Sequence, residues 1–250
     1  MSLRQRLHAG EILSATWVKT PHPHVVELLG LSPLDLIVLD AEHAPFDRGS
    51  LDSCLLAARA AGKPVLVRPA AAEPAAILQA LDGGADGVVV PHVRNAAEAA
   101  AIVAACHYGP GGRGFAGSTR AARYTTLGME RHRAAARDVV VIAQIEDAEA
   151  LDEIGAIAAT KGVDGLFVGR ADLTVSLGAN SADDPFVVEA VHRICAAARS
   201  AGVPVGMFLA RVSDVPLWRS AGATLFILQS DQEFILKGAT ALHAAVRGGV

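Results

Sequence analysis

The chain alternates between short runs of apolar, β-prone residues and longer Ala-rich stretches. Eight runs stand out, at residues 12–18, 35–39, 64–67, 87–90, 139–145, 165–168, 203–208 and 224–228. Most are continuously apolar rather than alternating, which is the pattern of parallel strands covered on both faces. Between them, segments such as 51–61, 96–105, 148–160 and 187–201 have helical composition. Gly62, Gly84, Gly162, Gly202 and Gly222 punctuate helical stretches just before the next strand, as helix C-caps do. The phrases GGADGVVV, KGVDGLFV and SAGATLFI repeat one helix–glycine–strand grammar, and AGKPVLV and AGVPVGMF repeat it with proline opening the strand. This order predicts an α/β fold, a (β/α)8 TIM barrel, spanning residues 1–250 as a single domain. An open doubly wound sheet is the other arrangement of such units, but no G-x-G-x-x-G follows the first strand. One connection, 107–137, is long and rich in Gly and Arg. Long insertions in compact barrels usually carry function.

Composition adds exclusions. The 250 residues are 52% hydrophobic, which supplies a large core and rules out disorder as the main state. The formal net charge is −4, and no basic stretch is long enough to track a phosphate backbone, so nucleic acid is not an expected partner. The apolar runs are too short to span a bilayer, and the opening MSLRQRLHAGE lacks the apolar core of a signal peptide; no membrane partner is expected. Cys54, Cys106 and Cys195 are far apart, each in an Ala-rich stretch, and are expected as buried free thiols of a cytoplasmic protein.

In a barrel, chemistry gathers at the C-terminal ends of the strands. The second run ends in Asp40-Ala41-Glu42-His43, the third in Arg68-Pro69, and the fourth in Pro91-His92. The fifth carries Gln144 and ends in Glu146-Asp147; the sixth ends in Gly169-Arg170-Ala171-Asp172; the eighth ends in Gln229-Ser230-Asp231. Glu146 and Asp172 are about one β/α unit apart, so adjacent strand ends would hold two hard anionic oxygens around one point. With no Cys or His at ligand spacing, that suits Mg²⁺ or Mn²⁺ better than structural zinc. Taken singly, each is also an ordinary first-turn carboxylate of a helix. His43, flanked by two acids, is a candidate general base. Arg68 must emerge at the mouth, where it can neutralise a developing enolate oxygen or pair with Asp40 or Glu42. Asp82 lies near a helix end and by charge alone belongs to a solvated face. His92, by itself, gives no specific signal.

The segments VLDAEHAPFD, PVLVRPA, ILQALDGGADGVVVPHV, GGRGFAGSTRAARY, AQIED and GLFVGRADLTVSLG occur in that order over nearly the whole chain. Together they resemble the class II hydroxyketoacid (pyruvate) aldolases, the HpcH/HpaI aldolase family. The resemblance implies that Glu146 and Asp172 bind a divalent metal, Mg²⁺ or Mn²⁺ with Co²⁺ as a further candidate. It implies that Gln144 contacts bound pyruvate and that the backbone at Ala171 and Asp172 holds its carboxylate. Arg68 would stabilise the enolate, His43 paired with Asp82 would be the acid/base, and Asp40 would position this set. Trp17 and the loop to Pro23, with Arg120–Tyr124, would shape the pocket for the aldehyde. The resemblance further implies a homohexamer, a dimer of trimers whose neighbouring subunits complete the sites. One departure is Arg170, where many relatives carry proline beside the metal ligand.

The reaction implied is reversible aldol cleavage of a 4-hydroxy-2-oxoacid to pyruvate, or a related 2-oxoacid, and an aldehyde. Two other readings remain open at this point. A β-hydroxyacyl-CoA lyase of the same barrel type would need a basic CoA-binding surface, and a non-catalytic ketoacid-binding barrel would not need the full acid/base and metal set. An imine-forming aldolase would need a mouth lysine; of Lys19, Lys63, Lys161 and Lys237, only Lys19 follows a strand closely enough.

Overall fold

The computed structural model describes residues 1–248. Eight strands pair in sequence order, all in parallel, and the last pairs with the first to close a barrel. They are β1 (Leu13–Val18), β2 (Leu36–Asp40), β3 (Val65–Arg68), β4 (Gly87–Val90), β5 (Val140–Ile145), β6 (Gly165–Val168), β7 (Val205–Leu209) and β8 (Ala223–Ser230). Around them run α1 (Leu3–His8), α2 (Pro23–Gly30), α3 (Arg48–Ala60), α4 (Pro74–Asp82), α5 (Ala96–Cys106) and α6 (Met129–Ala135). The ring continues with α7 (Ala150–Ala158), α8 (Arg170–Ser176), α9 (Pro185–Ala201), α10 (Val215–Ser220) and α11 (Asp231–Gly248).

The expected (β/α)8 barrel is therefore the observed fold, and the apolar runs fall on its strands. Two strands run further than their apolar residues: β2 includes Asp40 and β3 includes Arg68, paired in register with each other. The ladder is made by the backbone, so a polar side chain at the mouth does not end it.

Strand alternation sorts the core into two layers. Trp17, Leu36, Val38, Leu66, Ile142 and Phe167 form one buried cluster in the barrel interior. Ile37, Leu39, Val67 and Val88 face outward and pack against Leu51, Leu55, Ile77 and Leu81 of α3 and α4. Leu3 and Leu7 of α1 join the interior cluster and close its N-terminal end. That helix starts on a reciprocal cap between Ser2 and Gln5.

Aspartates also pin the N-terminal rim. Asp35, Asp86 and Asp164 stand just before β2, β4 and β6 and accept hydrogen bonds from the amides of Ser14, Val65 and Val141 on β1, β3 and β5, at 2.8, 2.8 and 3.0 Å. The recurring D-G and D-L steps of the sequence are these strand-to-strand ties.

The parity that places Leu36 and Val38 inside the barrel also turns Asp40 inward. The same rule turns Arg68, Gln144 and Trp17 inward on β3, β5 and β1. Elements of the scaffold thus deliver four polar or aromatic groups to the C-terminal mouth, each fixed by a strand.

Candidate active site

Asp40 is wholly buried at the mouth. Arg68 donates to it twice, from Nε at 2.9 Å and from Nη2 at 2.8 Å, a fork that matches carboxylate geometry. The amides of Glu42 and His43 donate to its Oδ1 at 3.3 and 3.2 Å, and Lys19 Nζ lies 3.3 Å from Oδ2. Burial alone would raise the Asp40 carboxyl; the Arg68 fork, the His43 amide and Lys19 outweigh it and hold it below the ordinary carboxylate range. Asp40 therefore folds the β2–α3 turn that carries Glu42 and His43, and fixes Arg68.

Arg68 lies over the Trp17 ring, 4.3 Å from its centroid, and Trp17 meets Phe167 edge to face at 5.9 Å. The third arm, Nη1, lies 3.1 Å from Glu42 Oε2. Despite that cation, burial raises the Glu42 carboxyl, helped by the negative charge of nearby Glu146.

Glu146 continues the line of β5 at the mouth and is 2% exposed. The His92 amide donates to its Oε1 at 2.8 Å, and Gln144 Nε2 donates to its Oε2. Gln144 itself is wholly buried, and its Oε1 finds no donor. Gly169, after β6, allows this packing: a methyl group there would lie 2.7 Å from Glu146 Oε2 and 2.9 Å from its Cβ.

His92 follows β4 with φ of 57°, a left-handed conformation uncommon outside Gly, though His, like Asn and Asp, adopts it more often than other residues. Its ring stands between two carboxylates, with Nε2 3.5 Å from Glu42 Oε1 and Nδ1 3.4 Å from Glu146 Oε1. Asp147 Oδ2 lies 3.1 Å from the same Nδ1. Burial works to lower the imidazole pKa, but Glu146, Asp147 and Glu42 together raise it. Glu42, His92 and Glu146 bring one ligand atom each within 4.8 Å of one another, a spacing a single cation can bridge.

A cavity of about 190 Å³ opens beside this cluster, lined by Trp17, Lys19, His43, Arg68, Gln144 and the Gly169–Asp172 turn among others. His43 reaches it with a half-exposed ring whose Nε2 is 3.6 Å from Glu42 Oε2. Asp172 and Ala171, in the first turn of α8, are exposed on its rim. Buried Asp231, at the start of α11, accepts from the amides of Lys19 and Thr20 at 2.7 and 3.1 Å and fixes the chain after β1.

The mouth thus gathers Asp40, His43, Arg68, Gln144, Glu146, Ala171, Asp172 and Trp17. Two expectations are not met within one chain. Asp82 is not beside His43; it ends α4 and is ion-paired with Arg113, whose own position is set in the 107–137 segment. Arg120 and Tyr124 do not line the mouth cavity either. Arg120 is buried against Asp52 and the carbonyls of Asp52 and Gly83, and both residues border a hollow on the α3–α4 side. The physical reason is charge pairing: the Arg-rich segment finds its carboxylates on the outer helices, not at the strand ends. His92 is the site residue that sequence reasoning passed over. The signal was there in Pro91-His92, polar residues straight after an apolar strand as at every other mouth position.

The Arg170 guanidinium is buried, 5.0 Å from the Trp218 ring and within reach of Asp183 and Asp214. Burial is the main influence on it and lowers its pKa, against the pull of those two carboxylates.

Comparison with known proteins converges on one group. Residues 13–237 match the family model described as HpcH/HpaI aldolase/citrate lyase. The chain is 35% identical over 227 residues to the 5-keto-4-deoxy-D-glucarate aldolase of Salmonella paratyphi A, covering 90% of this chain and 88% of that protein. It is similar in structure to an HpcH/HpaI aldolase/citrate lyase family protein of Burkholderia cenocepacia, with a TM-score of 0.93, 36% identity and 98% of both chains covered. It is also similar to the citrate synthase SbnG, with a TM-score of 0.88, 29% identity, and 99% and 98% of the two chains covered.

Proposed function

The chain belongs to the HpcH/HpaI aldolase/citrate lyase family, and from that premise we propose that it is a divalent-metal-dependent class II aldolase. It reversibly cleaves 4-hydroxy-2-oxoacids to pyruvate, or a related 2-oxoacid, and an aldehyde. The observation that carries this reading is the buried Glu146 carboxylate, hydrogen-bonded by Gln144, which lines the same mouth cavity as the Arg68 guanidinium. The residues fit a hard divalent cation: Glu146 is buried with further carboxylates nearby, and the buried Gln144 Oε1 lacks a donor. Glu146 and Asp172 would hold it, as Mg²⁺, Mn²⁺ or Co²⁺. When bound, the cation supplies Lewis-acid polarisation of the 2-oxoacid.

The chain's own groups do the rest. The α8 turn at Ala171 and Asp172 presents backbone N–H groups to the substrate carboxylate. Gln144 orients the 2-oxoacid from the barrel floor. Arg68, held rigid by Asp40 and Trp17, places positive charge where the enolate oxygen develops, at no reorganisation cost during reaction. His43, the half-exposed base on the rim, takes the proton of the substrate 4-hydroxyl in cleavage and returns it in synthesis. Trp17, beside Arg68, borders the aldehyde side. Oxaloacetate decarboxylation passes through the same enolate and is an expected side reaction.

The enzyme is proposed to work as a homohexamer, a dimer of trimers. In support, α11 departs from the barrel with Phe234, Ile235, Leu236, Leu242 and Val246 exposed, an apolar load that a neighbouring copy would cover. Asp82 would reach His43 from such a neighbour rather than within one chain. A cytoplasmic location is supported by the three buried free thiols, pushed by burial up to about 11 for Cys54 and Cys195 and about 12 for Cys106. Among the described residues no helix is long and apolar enough to cross a membrane.

The test is pyruvate release from a 4-hydroxy-2-oxoacid. Chelator treatment is expected to silence it, and Mn²⁺ or Mg²⁺ to restore it. Borohydride added with pyruvate should leave no adduct, because the mouth lysine, Lys19, is engaged by buried Asp40. Chelator-resistant turnover with pyruvate trapped on Lys19 would sink the proposal.

Gly169→Ala offers an independent check. The new methyl group must push Glu146 aside, and displacement of a catalytic group by about 1 Å costs on the order of 100-fold in rate. Turnover of this variant close to the parent's would mean that Glu146 is not held where the reaction needs it.

A further inference from the structure

We propose that Arg170 is a positioning residue for the 2-oxoacid: its buried guanidinium anchors the turn at Gly169–Asp172, and so sets how tightly the substrate carboxylate is held. The inference rests on the reading of that turn as the seat of the substrate carboxylate. It concerns a side chain to which that reading gives no task.

The turn has little of its own to hold it. Gly169 stands at the start of α8 and brings no side chain, and no side-chain cap bond is made there among the described residues. The helix is seven residues long, too short to gain much from its own ladder. Ala171 and Asp172 are exposed on the cavity rim, so packing does not fix them. On the β5 side the Gly169 amide donates to the Ile145 carbonyl at 3.1 Å. The other tie is Arg170.

That side chain joins the turn to two further connections. Its Nη2 donates to the Ala182 carbonyl at 3.0 Å, between α8 and α9, and lies 3.5 Å from Asp183 Oδ1. Its Nη1 lies 3.8 Å from Asp214 Oδ2, in the segment after β7. The guanidinium stands 5.0 Å from the centroid of the buried Trp218 ring on α10.

Stability alone does not account for a cation here. Its Nε is buried and has no acceptor among the described residues. A positive charge at the first residue of a helix is opposed by the helix dipole. Neither carboxylate depends on it, because Arg211 donates to Asp183 at 2.8 and 2.9 Å and to Asp214 at 2.9 and 3.1 Å. An apolar chain of similar length would fill the space against Trp218 without desolvating a charge, an exchange that is often neutral or stabilising. What the guanidinium alone supplies is a directional bond from the turn to the Ala182 carbonyl.

The experiment compares the full-length protein, saturated with Mn²⁺, with its Arg170→Met variant. The calorimetric Kd for pyruvate, and the KM for a 4-hydroxy-2-oxoacid, should rise by about tenfold or more, the scale of one charge-assisted hydrogen bond losing its alignment. The kcat should stay within about threefold, because Arg68 and His43 are mounted on other strands and connections. Amide hydrogen exchange at residues 171–174 should quicken by about tenfold while the barrel strands keep the parental rates. The unfolding midpoint should not fall. Arg170→Lys, which keeps a cationic donor for the Ala182 carbonyl, should recover part of the affinity. Arg211→Met, which removes only the outer ion pairs, should leave pyruvate affinity within about threefold of the parent's. Parental pyruvate affinity in Arg170→Met overturns the proposal. So does a variant that unfolds, or whose exchange rises throughout the barrel, since Arg170 would then be structural. Equal losses in kcat and affinity would place it in the chemistry itself and overturn the proposal as well. A parent protein that binds no pyruvate with Mn²⁺ present would instead remove the premise.

Discussion

Replacing Glu146 by Gln is expected to lower turnover by about 10³-fold or more, equivalent to roughly 4 kcal/mol of lost transition-state stabilisation. The side chain keeps its shape and stays buried, but the site loses the anionic oxygen that a hard cation requires. The fold should survive. The new amide can still accept from the His92 N–H, and Gln144 can rotate to offer its now unpartnered Oε1 to the new NH₂ group. Circular dichroism should therefore match the parent while equilibrium metal binding falls sharply. Near-parental turnover with near-parental metal affinity would show that the cation, or the chemistry, lies elsewhere.

Arg68→Ala is expected to damage both rate and stability, for two separable reasons. Loss of a donor aimed at the enolate oxygen costs roughly 3 kcal/mol, about 100-fold in rate. Loss of the fork also leaves the Asp40 carboxylate buried with only Lys19 and two backbone amides as partners. Breaking a buried pair by removing one partner typically costs about 3–5 kcal/mol of folding stability. Denaturant unfolding at neutral pH measures the second effect. The sign with pH follows from Asp40, whose folded pKa lies below its unfolded one. Its contribution is present above the ordinary carboxylate range and disappears as the pH falls through the folded value. The stability gap between parent and variant should thus narrow in acid. For the rate, aldol cleavage and oxaloacetate decarboxylation should fall together in Arg68→Ala, because both form the enolate. His43→Ala should spare decarboxylation relative to cleavage, because only cleavage removes a hydroxyl proton. Equal losses of both reactions in both variants would undo this division of roles.

Much of the candidate site lies on strand ends rather than on loops. Asp40, Arg68 and Gln144 belong to strands, and Glu146 immediately follows one. Backbone ladders fix their Cα positions, and side-chain forks then fix their heads. Side chains so mounted need little reordering when a ligand arrives. His43 and Asp172 are the exceptions: His43 lies in the β2–α3 connection and Asp172 in the first turn of α8.

The sequence by itself determined the barrel, its strand order and most of the mouth. Eight buried parallel strands have to be apolar on both faces, so the runs are visible without any tertiary information. Strand periodicity then carries inward parity from Leu36 and Val38 to Asp40, and from Leu66 to Arg68. Polar residues at those positions can go nowhere but the mouth. Barrel closure and charge pairing decided what periodicity could not reach. Glu42, His92 and Glu146 follow different strands, and only the lateral spacing of β2 through β5 brings their donor atoms together. The left-handed turn at His92 aims its amide at Glu146 and its ring between the carboxylates, an aim that only the folded mouth defines. Asp82 and Arg120 were drawn instead to Arg113 and Asp52, because a buried guanidinium takes the nearest carboxylate that satisfies it. Strand positions follow from a repeating backbone, whereas distances between side chains on different strands follow from how the whole sheet closes.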